Sequence, residues 1–131
     1  MKKNIVTVIL FMLVPCLSAC QAGQHSKSMD VITIASTTDK YLPDHEICRS
    51  FSLTREDVAI YFSVAEEVDE YEFNKDAIIL PCKYRGTIDI RGEIFHWEIS
   101  AGGAGYLYRG KGVNKRYLCK KNCCAVLPNL C

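Results

Sequence analysis

Six of the chain's eight cysteines, Cys48, Cys82, Cys119, Cys123, Cys124 and Cys131, lie in the last two thirds of the sequence. An even set in so short a stretch reads as a covalent brace for a domain whose core is modest. Six cysteines admit many pairings. Cys123 and Cys124 are neighbours, and a bond between adjacent residues would be badly strained, so each is expected to take a different partner. The expected arrangement ties the C-terminal segment back to Cys48 and Cys82. A structural zinc site built from Cys119, Cys123, Cys124 and Cys131 is the competing reading. Its spacing lacks paired Cys-x-x-Cys arms, and an oxidising compartment disfavours free thiolates. No cofactor or metal is therefore expected.

The other two cysteines belong to the N-terminus. Lys2-Lys3 precedes a mostly apolar run from Ile5 to Leu17, which has the length of a secretory signal's apolar region. The run is too short to span a bilayer as a helix, and Pro15 interrupts its end. Leu17-Ser18-Ala19-Cys20, followed by Gln21, resembles the lipobox of bacterial lipoproteins. That resemblance implies cleavage after Ala19 and diacylglycerol on the Cys20 sulfur, with palmitate a typical further acyl chain. It also implies anchoring to the cell membrane facing the periplasm. By the same likeness, Asp after the lipidated cysteine retains a lipoprotein in the inner membrane; Gln21 at that place favours the outer membrane. Each buried methylene contributes about 0.8 kcal/mol, so two or more acyl chains give a lasting anchor. The expected division is signal peptide 1–19, lipidated N-terminus and tether 20–30, and a single small domain 31–131.

Lys2 and Lys3 leave with such a signal, which brings the chain's 16 basic residues just below its 15 acidic ones. A near-neutral domain gives no footing for nucleic acid. The charges are segregated, however. Acidic residues crowd the middle, Glu66, Glu67, Asp69, Glu70 and Glu72 among them, and none follows Glu98. Arg109, Lys111, Lys115 and Arg116 fall in the acid-free part. Such asymmetry marks either a contact surface for a partner protein or two faces that attract each other within the fold. The nine residues just named are the candidate partner-binding set.

Thr54-Arg55-Glu56-Asp57 is the clearest local signal. Thr54 suits a helix cap, and Asp57 stands where a capping box places an acid. Val58, Tyr61, Phe62, Ala65 and Val68 recur at helical spacing, and the acids from Glu66 to Glu70 would sit badly at a helix C-terminus, which predicts an end near Glu66. Val31–Ile34 and Ala77–Leu80 are expected to be strands, with a loop from Ser36 to Asp44. Tyr84–Ile90 and Glu93–Ser100 flank Arg91-Gly92 as a hairpin, with Phe95, Trp97 and Ile99 on the core face and Ile94, His96 and Glu98 on the other. A glycine-rich turn, Tyr106–Tyr108, a second turn at Gly110-Lys111-Gly112 and a strand at Asn114–Cys119 complete the reading. The fold class is α+β: one N-terminal helix packed on an antiparallel β-meander, braced by disulfides.

Little in the chain carries catalytic chemistry. Ser100–Gly105 lacks the Gly-Lys-Ser/Thr of a phosphate loop and has strand signals on both sides, which makes it a hairpin connection. His25 lies in the tether, His45 in a loop and His96 on the exposed face of a strand. No nucleophile elbow or catalytic carboxylate pair is present, so the chain is not expected to be an enzyme. Of the aromatics, Tyr106, Tyr108 and Tyr117 lie near the basic stretch and suit a protein interface. Phe51–Val58, His96–Gly105 and the cysteine-rich end together resemble small bacterial envelope lipoproteins, some of which are immunity proteins against type VI secretion effectors. That likeness implies a protein-binding lipoprotein that neutralises a toxin in the periplasm. The other class of function open to the chain is a structural or quality-control component of the envelope.

Overall fold

The computed structural model describes residues 28–38 and 46–131. Residues 1–27, with the lipobox-like segment, Cys20 and His25, lie outside that set, as do residues 39–45 with His45. The elements run β1 (Met29–Thr38), α1 (Glu46–Ser50), α2 (Arg55–Val64), β2 (Glu66–Val68), α3 (Glu70–Asp76), β3 (Cys82–Ile90), β4 (Glu93–Ser100), β5 (Ala104–Arg109), β6 (Gly112–Leu118) and α4 (Lys121–Val126). A 3-10 turn, Pro128–Leu130, follows. The described strands form one antiparallel sheet in the order β1-β3-β4-β5-β6-β2. Strands β3 to β6 are the expected meander; β1 and β2 flank it from earlier in the chain. The fold is thus mixed α+β with an antiparallel sheet and disulfides.

Local chemistry accounts for most of these boundaries. Thr54 caps α2: its hydroxyl accepts from the Asp57 N–H at 3.1 Å, and the Asp57 carboxylate accepts from the Thr54 N–H at 2.8 Å. The helix ends at Val64, and Glu66 and Glu67 start a strand instead, which takes two carboxylates away from the negative helix terminus. At the β3–β4 hairpin Arg91 and Gly92 both take positive φ, the pattern of a tight hairpin turn. The Asp89 side chain accepts from the Gly92 N–H at 2.7 Å.

Three expectations need correcting. Helices α1, α3 and α4 join α2, and all three are too short for apolar periodicity to announce them. Ala77–Leu80 is not a strand: Ala77 closes α3, Ile78 and Ile79 are exposed, and Leu80 donates to the Ala101 carbonyl. Its apolar run is spent on an extended connection. β1 reaches Thr38, so the segment expected to be a loop begins within the sheet, and Met29 and Asp30 at the end of the expected tether pair with Ile90 and Asp89.

The main core lies between α2 and one face of the sheet, where Val58, Tyr61 and Phe62 meet Trp97, Ile99, Leu107 and Tyr117. Trp97 fits because β3 carries glycine beneath it: a Cβ at Gly86 would meet the Thr33 carbonyl and the Trp97 ring. On the opposite face α3 buries Phe73 against Ala104 and Leu118, a second and smaller core at the β6–β2 end. Among the described residues three disulfides are present: Cys48–Cys82, Cys119–Cys123 and Cys124–Cys131. Cys123 and Cys124 do take different partners, but the C-terminal segment is not tied back to Cys48 or Cys82. Cys48 on α1 meets Cys82 at the start of β3, while α4 and the 3-10 turn curl together so that the four C-terminal cysteines pair locally.

A candidate binding face on the outer side of the sheet

The strand register places two cross-strand rows on the face opposite α2. One runs Ala35, Arg85, Glu98, Tyr106, Arg116 and Val68; the other runs Thr33, Thr87, His96, Tyr108 and Val113. Successive residues in each row are direct cross-strand partners, so their side chains stand together. Helix α3 covers the Val68 end, through Phe73. On β5 its Phe73 also meets Ala104 and Tyr106, but over β1, β3 and β4 no described helix lies on this face, and Thr33, Ala35, Arg85, Ile94 and His96 are exposed.

Its chemistry alternates aromatic and charged groups. The His96 and Tyr108 rings stack with centroids 5.5 Å apart. Lys83 reaches Glu98 at 3.1 Å. Tyr106 leans on Phe73, its ring 4.9 Å away, and partial burial followed by the nearby Glu98 carboxylate raises its phenol above the ordinary range. Between α3 and the β5–β6 turn the face dips into an open groove of about 570 Å³, lined by Phe73, Asn74, Glu98, Tyr106, Lys111 and Arg116 among others. Stacked rings flanked by a carboxylate and guanidinium groups suit recognition of a polypeptide surface.

The candidate partner-binding charges meet one another. Because β2 pairs with β6, Glu67 stands opposite Tyr117 and beside Lys115, and the two charges close at 3.2 Å. Arg116 reaches Glu70 at 3.7 Å, and Lys120 holds both Glu66, at 3.5 Å, and Glu72. Asp69 caps α3 by accepting from the Glu72 N–H at 2.8 Å. Arg109 pairs with Glu93 at 3.2 Å and lies over the Phe95 ring. Lys111 stands at the β5–β6 turn on the rim of the groove. Of the three tyrosines expected at an interface, Tyr106 and Tyr108 are on the outer face, while Tyr117 is buried under α2. Alternation along β4 had placed His96 and Glu98 opposite the core. Arg85 went unnamed, although the Arg91-Gly92 turn sets the β3–β4 register and alternation from the buried Ile88 puts Arg85 on the outer side.

One further cluster bears on ligands. The sulfurs of Cys119, Cys124 and Cys131 lie within 4.8 Å of one another, with Cys119 and Cys124 bonded into separate disulfides. Among the described residues no helix is long and apolar enough to cross a membrane. A search finds no family model, no curated protein and no solved structure that matches the chain.

Proposed function

We propose that this chain is a lipid-anchored, non-enzymatic binding module of the bacterial periplasm, and that it engages a protein through the outer face of its sheet. The carrying observation is that face: a stacked His96–Tyr108 pair beside Arg85 with no described helix over it, continuing into Glu98, Tyr106 and Arg116 at the edge of α3. Three disulfides accord with an oxidising compartment. The lipobox-like segment at Leu17–Cys20 accords with anchoring through Cys20. A small braced domain held at the membrane suits interception of an incoming toxin, the immunity role that the sequence likeness implies. The segregated charges belong mainly to the fold on this reading. The partner's contacts fall on the aromatics, with Lys111 and Arg116 at their margin.

The test places a photoreactive residue at Tyr108 in the full chain, expressed in a bacterium beside the product of the neighbouring gene. A matched control places it at Val126, an exposed residue of α4. A discrete adduct with that product from position 108 and none from position 126 is expected, along with fatty-acid labelling that Cys20→Ser abolishes. Equal adducts from both positions, or none from either, would rule out this face. Undiminished lipid label in Cys20→Ser would rule out the anchor.

A further inference from the structure

Three of the four C-terminal cysteines, Cys119, Cys124 and Cys131, bring their sulfurs within 4.8 Å of one another across two separate cross-links. Cys119 follows β6 and bonds to Cys123; Cys124, next along α4, bonds to Cys131. Across the two bonds, Cys119 Sγ and Cys131 Sγ are 4.0 Å apart. Four thiolates around one tetrahedral zinc, each at about 2.3 Å, stand about 3.8 Å from one another. The 4.0 Å between the Cys119 and Cys131 sulfurs is close to that spacing, and with Cys123 bonded to Cys119 and Cys124 to Cys131, opening both bonds lets the other two sulfurs move out to it.

Backbone contacts tie these positions to the sheet in addition to the disulfides. The Cys119 N–H donates to the Gly103 carbonyl at 2.9 Å, and the Gly102 N–H donates to the Leu130 carbonyl at 2.9 Å, so one glycine turn fixes both ends of the cluster. Both glycines have positive φ, and a Cβ at Gly103 would come within 2.7 Å of the Cys119 Cβ. Cys123, Leu127 and Leu130 are buried in the main core. The two bonds close shorter loops than Cys48–Cys82 does, over four and seven residues against 34, and so restrict the unfolded chain less.

We propose that Cys119, Cys123, Cys124 and Cys131 form a redox-gated site for a soft divalent metal ion, zinc first among them, which opens when a dithiol reduces both disulfides. Each disulfide takes two electrons and two protons from one dithiol, which itself becomes a disulfide. The four thiols then release four protons as their thiolates bind one Zn²⁺, whose oxidation state does not change. Exchange with an external disulfide, which takes two electrons and two protons for each bond re-formed and becomes a dithiol, restores both disulfides and expels the ion. The buried Cys123 closes the site from within, and the exposed Cys131 is its side of entry.

The test uses the full chain, reduced under anaerobic conditions, with Co²⁺ as a spectroscopic stand-in for zinc. One equivalent should give thiolate-to-cobalt charge transfer and the visible bands of tetrahedral cobalt, and Zn²⁺ should bleach both. Cys119→Ser and Cys131→Ser should each weaken binding by a factor of about ten or more, while the Cys48→Ser, Cys82→Ser double variant keeps the full spectrum. Far-ultraviolet circular dichroism reports the fold of the reduced chain throughout. Absence of the tetrahedral spectrum, its survival in Cys119→Ser, or unfolding of residues 119–131 on reduction would each overturn the site.

Discussion

Tyr61 shows how a single side chain joins the helix to the far end of the sheet. Its ring is fully buried, and its hydroxyl donates to the Gly103 carbonyl at 2.9 Å, with the Tyr117 carbonyl 3.3 Å away. Gly105 leaves room for it, since a Cβ there would sit 2.4 Å from the Tyr61 oxygen. Tyr61→Phe should cost about 1–2 kcal/mol, because buried carbonyls lose a donor while the packing stays. Burial raises the Tyr61 phenol well above its ordinary 10.0 and pushes Tyr117 up to about 12, with Glu67 adding to the latter. The folded protein therefore keeps protons that the unfolded chain gives up. That stability is present in full below about pH 10 and is lost as pH rises toward about 12. Lys120, held protonated by Glu72 and then Glu66, acts in the same sense, though it is exposed. Urea midpoints measured across this range should be level at first and then fall, and the fall should be shallower in Tyr61→Phe. An alkaline limb unchanged by the substitution would remove the assignment. Spacing along α2 made Tyr61 legible as core; the carbonyls it reaches, more than forty positions away, were not.

Among the elements, α2 and the β3–β6 meander were readable because each carries its own instructions. The capping box at Thr54 and Asp57 is complete within four residues, and Arg91-Gly92 forms its turn without outside help. Thr54→Ala should cost about 1 kcal/mol. Adding Asp57→Asn should then cost little more, since the two side chains serve one reciprocal motif. Equilibrium unfolding of both single variants and the double provides the cycle, and fully additive losses would show that the pair acts independently. β2 and α3 were not readable, for a shared reason. Glu66–Val68 becomes a strand only because β6 stands beside it, and α3 forms over Phe73 only because Ala104 and Leu118 offer it a surface. Neither partner lies nearby in sequence. The binding face has the same origin: residues of six strands share it through register, and the alternation along β4 hinted at it.

Across the whole molecule, the disulfides divide the labour unequally. Cys48–Cys82 spans 34 residues, against four and seven for the C-terminal pairs. In the loop-entropy picture the long bridge contributes about 4 kcal/mol and each short one about 2 kcal/mol. Cys48→Ser with Cys82→Ser should lower the urea midpoint about twice as far as Cys124→Ser with Cys131→Ser; equal losses would show that loop length does not govern here. The charge segregation, legible from the first reading as an asymmetry, is resolved chiefly as attraction between β2–α3 and β6. Exposed pairs of this kind hold little energy singly, yet they help select which strand lies beside which. The strand order carries one more consequence. Both flanking strands of the sheet precede in sequence the four they enclose. During synthesis or export, β1 and β2 emerge before either has a neighbour to pair with. They must wait as unpaired segments until residues 82–118 have formed the meander. High contact order at both flanks should make folding slow and leave the young chain open to aggregation, so a chaperone that shields residues 29–68 during transit would act at its most exposed stage.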